Sequence, residues 1–125
     1  MHIFIVEDND LIRDALRFSL DDLGHRVTIA ADGAAALAAL EHDLPDVLVT
    51  DLRMPGMSGH EVIVAVRARH ANLPVVAVSG GGPDAVSMFA RAAADGADAA
   101  LQKPFTPRSL LAAIETACAA RRSAA

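Results

Sequence analysis

Five short apolar segments alternate along the chain with longer segments in which apolar residues recur at helical spacing. Each apolar segment is four or five residues long, a length typical of a buried strand rather than of a helix. The predicted strands are Ile3–Val6, Arg26–Ala30, Val47–Thr50, Val75–Val78 and Ala99–Gln102. The segments between them predict helices over Leu11–Leu23, Ala34–His42, Gly59–Arg69, about Asp84–Ala94, and onward from Pro107, with Thr106 as the cap of the last helix.

This repetition predicts an α/β fold made of five βα units. Strands that alternate with helices form a parallel sheet, and right-handed crossovers place the helices on both of its faces. We predict the flavodoxin-like (βα)5 fold, a three-layer sandwich whose five-stranded parallel sheet has the order 2-1-3-4-5. The Arg26–Ala30 strand alternates in polarity, which favours an edge position. No internal linker or low-complexity tract is evident, so residues 1–125 are interpreted as one domain.

Composition narrows the class of protein. The chain has 125 residues, of which 53% are hydrophobic, so an ordered core is expected. The net charge of −5 argues against nonspecific DNA binding, and the lack of Trp and Tyr argues against a stacking platform for single-stranded nucleic acid. No apolar stretch approaches the ~20 residues that cross a bilayer. The N-terminus lacks a secretion signal and Cys118 is the one cysteine, so a cytoplasmic location is expected.

Charged residues lie where the apolar segments end. Glu7 and Asp8 follow the first strand, Asp51 follows the third, and Lys103 follows the fifth. Strands one and three are neighbours in the predicted order, so the three carboxylates should converge at the carboxyl edge of the sheet. Their repulsion raises each pKa unless a cation is present, and ligands that are all oxygen favour Mg²⁺ over zinc. We predict that Asp8, Asp51 and the backbone carbonyl of Arg53 bind Mg²⁺, with Glu7 acting through a water.

Asp51 is also a candidate nucleophile. A carboxylate can attack phosphorus to form an aspartyl phosphate, and a cation with a lysine neutralises the oxygens of the transferring group. Lys103 fits that role, and Ser79, at the end of the fourth strand, can donate its hydroxyl to a phosphoryl oxygen. Taken separately, these features have ordinary explanations, because acids cap helices and Ser-Gly is a common turn pair. Their combination at one edge of the sheet favours a phosphoacceptor.

The chain resembles the receiver domains of two-component response regulators, the phosphoacceptor modules of bacterial signalling. The resemblance covers essentially the whole chain and rests on four motifs in the family's order and spacing. These motifs are the pair Glu7-Asp8, the loop DLRMPGMSG that begins at Asp51, the hydroxyl of Ser79, and Lys103-Pro104-Phe105. Each motif is modest on its own, and together they are highly specific.

The resemblance implies a role for each of these residues. Asp51 would accept a phosphoryl group from a sensor histidine kinase or a histidine phosphotransfer protein. Asp8, Asp51 and the Arg53 carbonyl would hold Mg²⁺ with support from Glu7, Lys103 would pair with the phosphoryl group, and Ser79 would move to hydrogen-bond it. The resemblance also implies a cis peptide between Lys103 and its proline. Such a protein is a switch and not an ordinary enzyme, because it catalyses only its own phosphorylation and dephosphorylation.

The chain departs from the family pattern on the fifth strand. The family usually has Tyr or Phe three residues before the lysine, and this chain has Ala100. Phosphotransfer should survive, since the ring takes no part in it, but the ring that usually couples the site to the helix 4–strand 5–helix 5 face is missing. We expect the loop 80–83 (GGGP) to carry the signal instead, because glycines permit large dihedral changes.

The end of the chain soon after the fifth helix favours a stand-alone, chemotaxis-regulator-like receiver that controls a protein partner, with no direct contact to nucleic acid or membrane.

A contrasting hypothesis is a Mg²⁺-dependent phosphohydrolase with an aspartyl-phosphate intermediate, resembling the haloacid dehalogenase family. That family has a second acid where this chain has Arg53. A flavin-binding module on the same fold is a third interpretation, disfavoured because the acidic cluster would repel a phosphate unless a metal is present. Arg91, Asp95 and Asp98 are candidates for ion pairs between subunits.

Overall fold

The computed structural model describes residues 1–124, in which five strands and five helices alternate strictly. The strands are β1 (His2–Val6), β2 (Arg26–Ala30), β3 (Val47–Asp51), β4 (Val75–Ser79) and β5 (Ala99–Gln102). The helices are α1 (Asp10–Asp22), α2 (Gly33–Leu40), α3 (Gly59–Arg69), α4 (Ala85–Asp95) and α5 (Pro107–Ala124). The ten predicted elements are confirmed, and their ends differ from the prediction by at most two residues. Within residues 1–124, none of the helices has the length and apolar character needed to cross a membrane.

The sheet is parallel and has the order β2-β1-β3-β4-β5, as predicted. The register pairs Val6 of β1 with Thr50 of β3, so residues 7 and 51 lie just beyond paired positions on adjacent strands. On the other side of β3, Asp51 pairs with Val78 of β4. The topology therefore brings the ends of β1, β3 and β4 to one edge of the sheet.

Two apolar cores lie on opposite faces of the sheet, because successive strand residues point to opposite sides. Leu48 of β3 packs in the core covered by α2, α3 and α4. Its neighbours Val47 and Val49 pack in the other core, which is covered by α1 and α5. Burial on both faces explains why the central strands are continuous apolar runs instead of alternating ones. The three-layer sandwich is confirmed.

Side chains cap four of the helices, and one of these caps, Thr106, was predicted from the sequence. The caps, each with the backbone N–H from which it accepts, are Asn9 (Ile12), Asp32 (Ala35), Ser58 (Glu61) and Thr106 (Ser109). Helix α4 is the exception: Asp84 occupies its N-cap position, but within residues 1–124 its side chain makes no capping hydrogen bond. The carboxylate of Asp84 instead contacts the guanidinium of Arg53.

The expectation that Asp98 pairs with another subunit is wrong. Its side chain is only 2% exposed, and Arg67 and Arg121 of the same chain bind it at 2.8 and 2.6 Å. Asp95 likewise lies 3.3 Å from the ring of His60 and 3.8 Å from Arg91 within the chain. Sequence alone did not reveal these contacts because the partners of Asp98 lie 31 and 23 residues away.

Candidate functional site

Three carboxylates meet at the carboxyl edge of the sheet. Asp51 is the last residue of β3, and Glu7 and Asp8 immediately follow the neighbouring strand β1. One carboxylate oxygen from each of these residues lies within 4.8 Å of the others. The strand order and register alone produce this convergence, as the sequence predicted.

The carboxylates differ in their exposure. Glu7 and Asp51 are 3% and 7% exposed, whereas Asp8 is exposed to solvent. Burial raises the pKa of Glu7; the hydrogen bond from Lys103 opposes the rise, and the charge of Asp51 adds to it. The site therefore holds more negative charge than its own residues neutralise, which is the condition that favours binding of a cation.

Lys103 bridges the two buried carboxylates. Its Nζ atom donates to Oδ2 of Asp51 at 2.8 Å and also contacts Oε1 of Glu7. Burial lowers the pKa of Lys103, but the hydrogen bonds and charges of Asp51 and Glu7 outweigh burial, so the pKa is raised overall. The lysine stays a cation in the site. The peptide between Lys103 and Pro104 is cis, as the resemblance implied.

Ser79, the last residue of β4, is fully buried. Within residues 1–124 its Oγ atom has no hydrogen-bond partner. A buried hydroxyl without a partner typically costs about 1–3 kcal/mol. The hydroxyl is therefore a ready donor for a new acceptor that arrives at this edge of the sheet.

The loop after β3 is packed tightly against the end of that strand. The backbone N–H of Arg53 donates to Oδ1 of Asp51 at 3.2 Å and so orients the carboxylate. Gly59 begins α3 so close to β3 that a Cβ atom at this position would lie 2.2 Å from the carbonyl oxygen of Asp51. Any side chain at residue 59 would push the loop away from the site, so glycine is required there.

The loop after β4 needs its glycines for a different reason. Gly81 and Gly82 have φ angles of +87° and +103°, a region that other residues rarely adopt. Ala100 of β5, the position at which the family usually has an aromatic ring, is exposed to solvent. The loop 80–83 and the start of α4 are thus not covered by a large side chain from residue 100.

This chain is matched by the family model described as the response regulator receiver domain, over residues 3–115. The chain belongs to this family. The receiver domain is 38% identical over 112 residues to the response regulator MprA of Mycobacterium avium, covering 90% of this chain and 48% of that protein. It is 36% identical over 116 residues to the transcriptional regulatory protein FixJ of Bradyrhizobium diazoefficiens, covering 93% of this chain and 56% of FixJ. The chain thus spans about half the length of these curated relatives.

A solved structure of the chemotaxis protein CheY4 of Vibrio cholerae is similar to this receiver domain over nearly its whole length. The TM-score is 0.84 with 32% identity, and the match covers 93% of this chain and 97% of that chain. The receiver domain is a signalling module of two-component response regulators, as the resemblance implied. The matches give no support to the phosphohydrolase reading.

The structure brings Glu7, Asp8, Asp51 and Lys103 together, as the sequence predicted. Ser79 lies at the end of the strand beside β3, without a bond to this cluster. The backbone N–H of Arg53 contacts Asp51, while the predicted role of its carbonyl as a ligand stays a prediction.

Two features escaped the sequence analysis. The side chain of Arg53 reaches α4, where it contacts Asp84 and donates from Nε to Sδ of Met88 at 3.3 Å. An apolar groove of about 490 Å³ also lies beside the site, between α1 and the segment after β5. Asp84 could have been noticed as an acid at a helix start, but its partner lies 31 residues away and leaves no local signal.

Proposed function

We propose that Asp51 is the phosphoacceptor of this receiver domain and that it works with Mg²⁺ in a two-component phosphorelay. The observation that carries the proposal is a buried carboxylate at the end of β3, 2.8 Å from the ammonium of Lys103 and beside two further acids. A nucleophile, a fixed cation and an incomplete charge balance in one place suit transfer of an anionic group.

The donor set fits Mg²⁺. Asp8 and Asp51 would supply carboxylates, the backbone carbonyl of Arg53 a third oxygen, and Glu7 would act through a bound water. The proximity of the three acids supports this ligand set, because one lysine cannot balance three carboxylates. When bound, Mg²⁺ would supply positive charge next to the phosphoryl oxygens.

The transfer is a displacement at phosphorus. An oxygen of Asp51 forms a bond to phosphorus as the bond from phosphorus to the donor's histidine nitrogen breaks, and the imidazole keeps the electron pair. Lys103 would neutralise the phosphoryl oxygens, and Ser79 would donate its unpartnered hydroxyl to one of them. In dephosphorylation, the oxygen of a water molecule bonds to phosphorus as the bond from phosphorus to Asp51 breaks. The carboxylate keeps that electron pair, the water gives up a proton to solvent, and inorganic phosphate leaves. The protein would thus catalyse only its own phosphorylation and dephosphorylation.

The groove beside the site suits a protein donor. It is lined by Leu11, Ile12 and Leu16 of α1 and by Phe105, and Lys103 lines both the groove and the site. Leu11 is 80% exposed and lies among these apolar residues, and a contiguous exposed apolar surface is typical of a protein interaction site. A sensor kinase or phosphotransfer protein bound here would bring its phosphohistidine next to the acceptor.

Leu11→Glu should slow transfer from a phosphorylated phosphotransfer protein but not from acetyl phosphate. The matched control is Leu44→Glu, at the opposite end of the sheet.

The output of the domain is also a proposal. The positive φ angles of the glycines support the loop 80–83 as the segment that moves on phosphorylation, in place of the aromatic ring that residue 100 lacks. A downstream protein would recognise that change.

We propose that residues 1–125 form one receiver domain. We also propose a cytoplasmic location, which the single cysteine supports. The similarity to the transcriptional regulatory protein FixJ means that direct contact with nucleic acid through another part of a longer chain is a competing possibility for the output.

Incubation with Mg²⁺ and acetyl phosphate tests the acceptor. We expect one acid-stable, base-labile phosphoryl group in the intact-mass spectrum, and we expect Asp51→Asn to abolish it. The matched control is Asp46→Asn, an exposed aspartate just before β3. Unchanged phosphorylation of Asp51→Asn would contradict the proposal, and rapid turnover of many phosphate esters would favour a phosphohydrolase instead.

A further inference from the structure

The resting position of the Arg53 side chain is poorly suited to a cation. The guanidinium lies over the first turn of α4, held by the carboxylate of Asp84 and by Sδ of Met88. The N-terminus of a helix carries partial positive charge, so an arginine at this point is repelled by the helix and is retained mainly by Asp84. The side chains of Arg53 and Asp84 are both 55% exposed, and ion pairs of this kind are weak.

In this contact, Asp84 does not fill the role that its position predicts. An aspartate at the N-cap normally accepts a hydrogen bond from the second or third N–H of the helix, here Val86 or Ser87. The other N-cap residues described above do so in this structure, and Asp84 does not. Its backbone angles, φ −101° and ψ 8°, also lie outside the extended region in which Asn9, Asp32 and Ser58 cap their helices.

Each member of this pair therefore has a better partner nearby once Asp51 is phosphorylated. Arg53 is two residues from Asp51 and is attached to it through its backbone N–H. A phosphoryl group, like a carboxylate, accepts two parallel hydrogen bonds from a guanidinium, but it carries about −1.5 to −2 charges, whereas Asp84 offers one exposed negative charge. When the guanidinium leaves, the carboxylate of Asp84 can cap α4 once its backbone turns to the extended conformation of the other N-cap residues, and the helix dipole favours an anion at that position.

We propose that Arg53 and Asp84 form a relay that reports phosphorylation to α4. In the resting state the ion pair leaves the first turn of α4 uncapped. In the phosphorylated state Arg53 binds the phosphoryl group and Asp84 caps the helix. The relay rests on the proposed function, since Asp51 must be the acceptor, and it gives this chain a route to α4 that does not use an aromatic residue at position 100.

Amide hydrogen exchange of Val86 and Ser87, measured by NMR with and without acetyl phosphate and Mg²⁺, tests the relay. In the unaltered chain we expect phosphorylation to slow these amides by roughly 2- to 30-fold, the range that corresponds to formation of a helix cap. Asp84→Asn keeps a capping oxygen but loses the ion pair, so its amides should be slow in both states. Asp84→Ala cannot cap, so its amides should be fast in both states. These two variants are both neutral, and their difference isolates the cap from any effect of local charge.

Two further arms separate the relay from the proposed function. Arg53→Gln without any phosphoryl donor should already slow the two amides, because it frees Asp84; unchanged exchange in this variant overturns the relay without reference to phosphorylation. Asp43→Asn removes a similarly exposed arginine–aspartate pair, that with Arg26, and should behave as the unaltered chain. Intact mass reports phosphorylation independently. Phosphoryl incorporation without a change at Val86 and Ser87 overturns the relay alone, whereas absence of incorporation overturns the proposed function and the relay with it.

Discussion

Two buried aspartates at opposite ends of the sheet show how the same residue type serves structure at one end and, under the proposed function, reactivity at the other. Asp98, just before β5, is bound by Arg67 and Arg121 and by the backbone N–H of Val75 at 2.9 Å. Asp51, at the end of β3, shares the single ammonium of Lys103 with Glu7. One carboxylate thus faces two cations, and at the other end three carboxylates face one.

The difference in charge balance explains the difference in role. The lone pairs and charge of Asp98 are satisfied within the chain, so it has little tendency to bind anything else. The carboxylates around Asp51 repel one another, and the fold holds them together regardless. Functional sites often keep an unfavourable arrangement that the rest of the structure supports, and under the proposed function that arrangement would favour binding of a cation and a phosphoryl group.

Removing the charge of Asp98, which two arginines balance, should cause the largest change in stability. Asp98→Asn leaves two partly buried guanidiniums without their anion, so we expect a loss of about 3–5 kcal/mol in the free energy of unfolding measured with urea. Asp51→Asn, tested alongside, should cost nothing or stabilise the metal-free protein, because it removes a repelled charge. Equal losses in the two variants would contradict the comparison.

Adding a divalent cation should stabilise the protein through the carboxylates around Asp51. Mg²⁺ at a hundred times its dissociation constant should raise the free energy of unfolding by about 2.7 kcal/mol, and a chelator should reverse the gain. A variant with Asp8→Asn should gain clearly less, whereas the Asp43→Asn control should gain as much as the unaltered chain. A gain of the same size in Asp8→Asn would show that the ion binds elsewhere.

Relieving the repulsion without an ion should have a smaller effect. In the presence of a chelator, Asp8→Asn should stabilise the protein by about 0.5 kcal/mol, since Asp8 is exposed and solvent screens its charge. Thermal unfolding in low salt measures this gain, which should shrink as salt is added. Destabilisation by this variant would mean that the carboxylate has a structural role that the arrangement of the site does not indicate.

The smallest effect is expected at alkaline pH. The pKa of Lys103 is raised above its ordinary value of 10.5 in the folded state. Its contribution to stability is therefore present in full below pH 10.5 and is lost as the pH rises through the folded-state pKa. Urea unfolding across this range should show a fall in the free energy of unfolding that is smaller in Lys103→Met. A fall of the same size in that variant would mean that other groups cause it.

Several parts of the site could be read from local sequence. The motifs that end β1, β3 and β5 placed Glu7, Asp51 and Lys103, because a run of apolar residues followed by a charge marks a strand end wherever it occurs. Ser79 was located in the same way. Its lack of a partner was not, because the burial and satisfaction of a hydroxyl depend on every element packed around it.

The sequence by itself determined the order of strands and helices, the parallel sheet, and the edge at which the acids meet, since these follow from periodicity, helix caps and the handedness of crossovers. Only the tertiary structure decided which charges pair. Lys103 joins Glu7 across 96 residues and Arg53 joins Asp84 across 31. Such contacts depend on side-chain reach and on helix placement in three dimensions, for which no local pattern exists. The same reason explains why Asp98, which reads as a surface acid in the sequence, lies buried between two arginines.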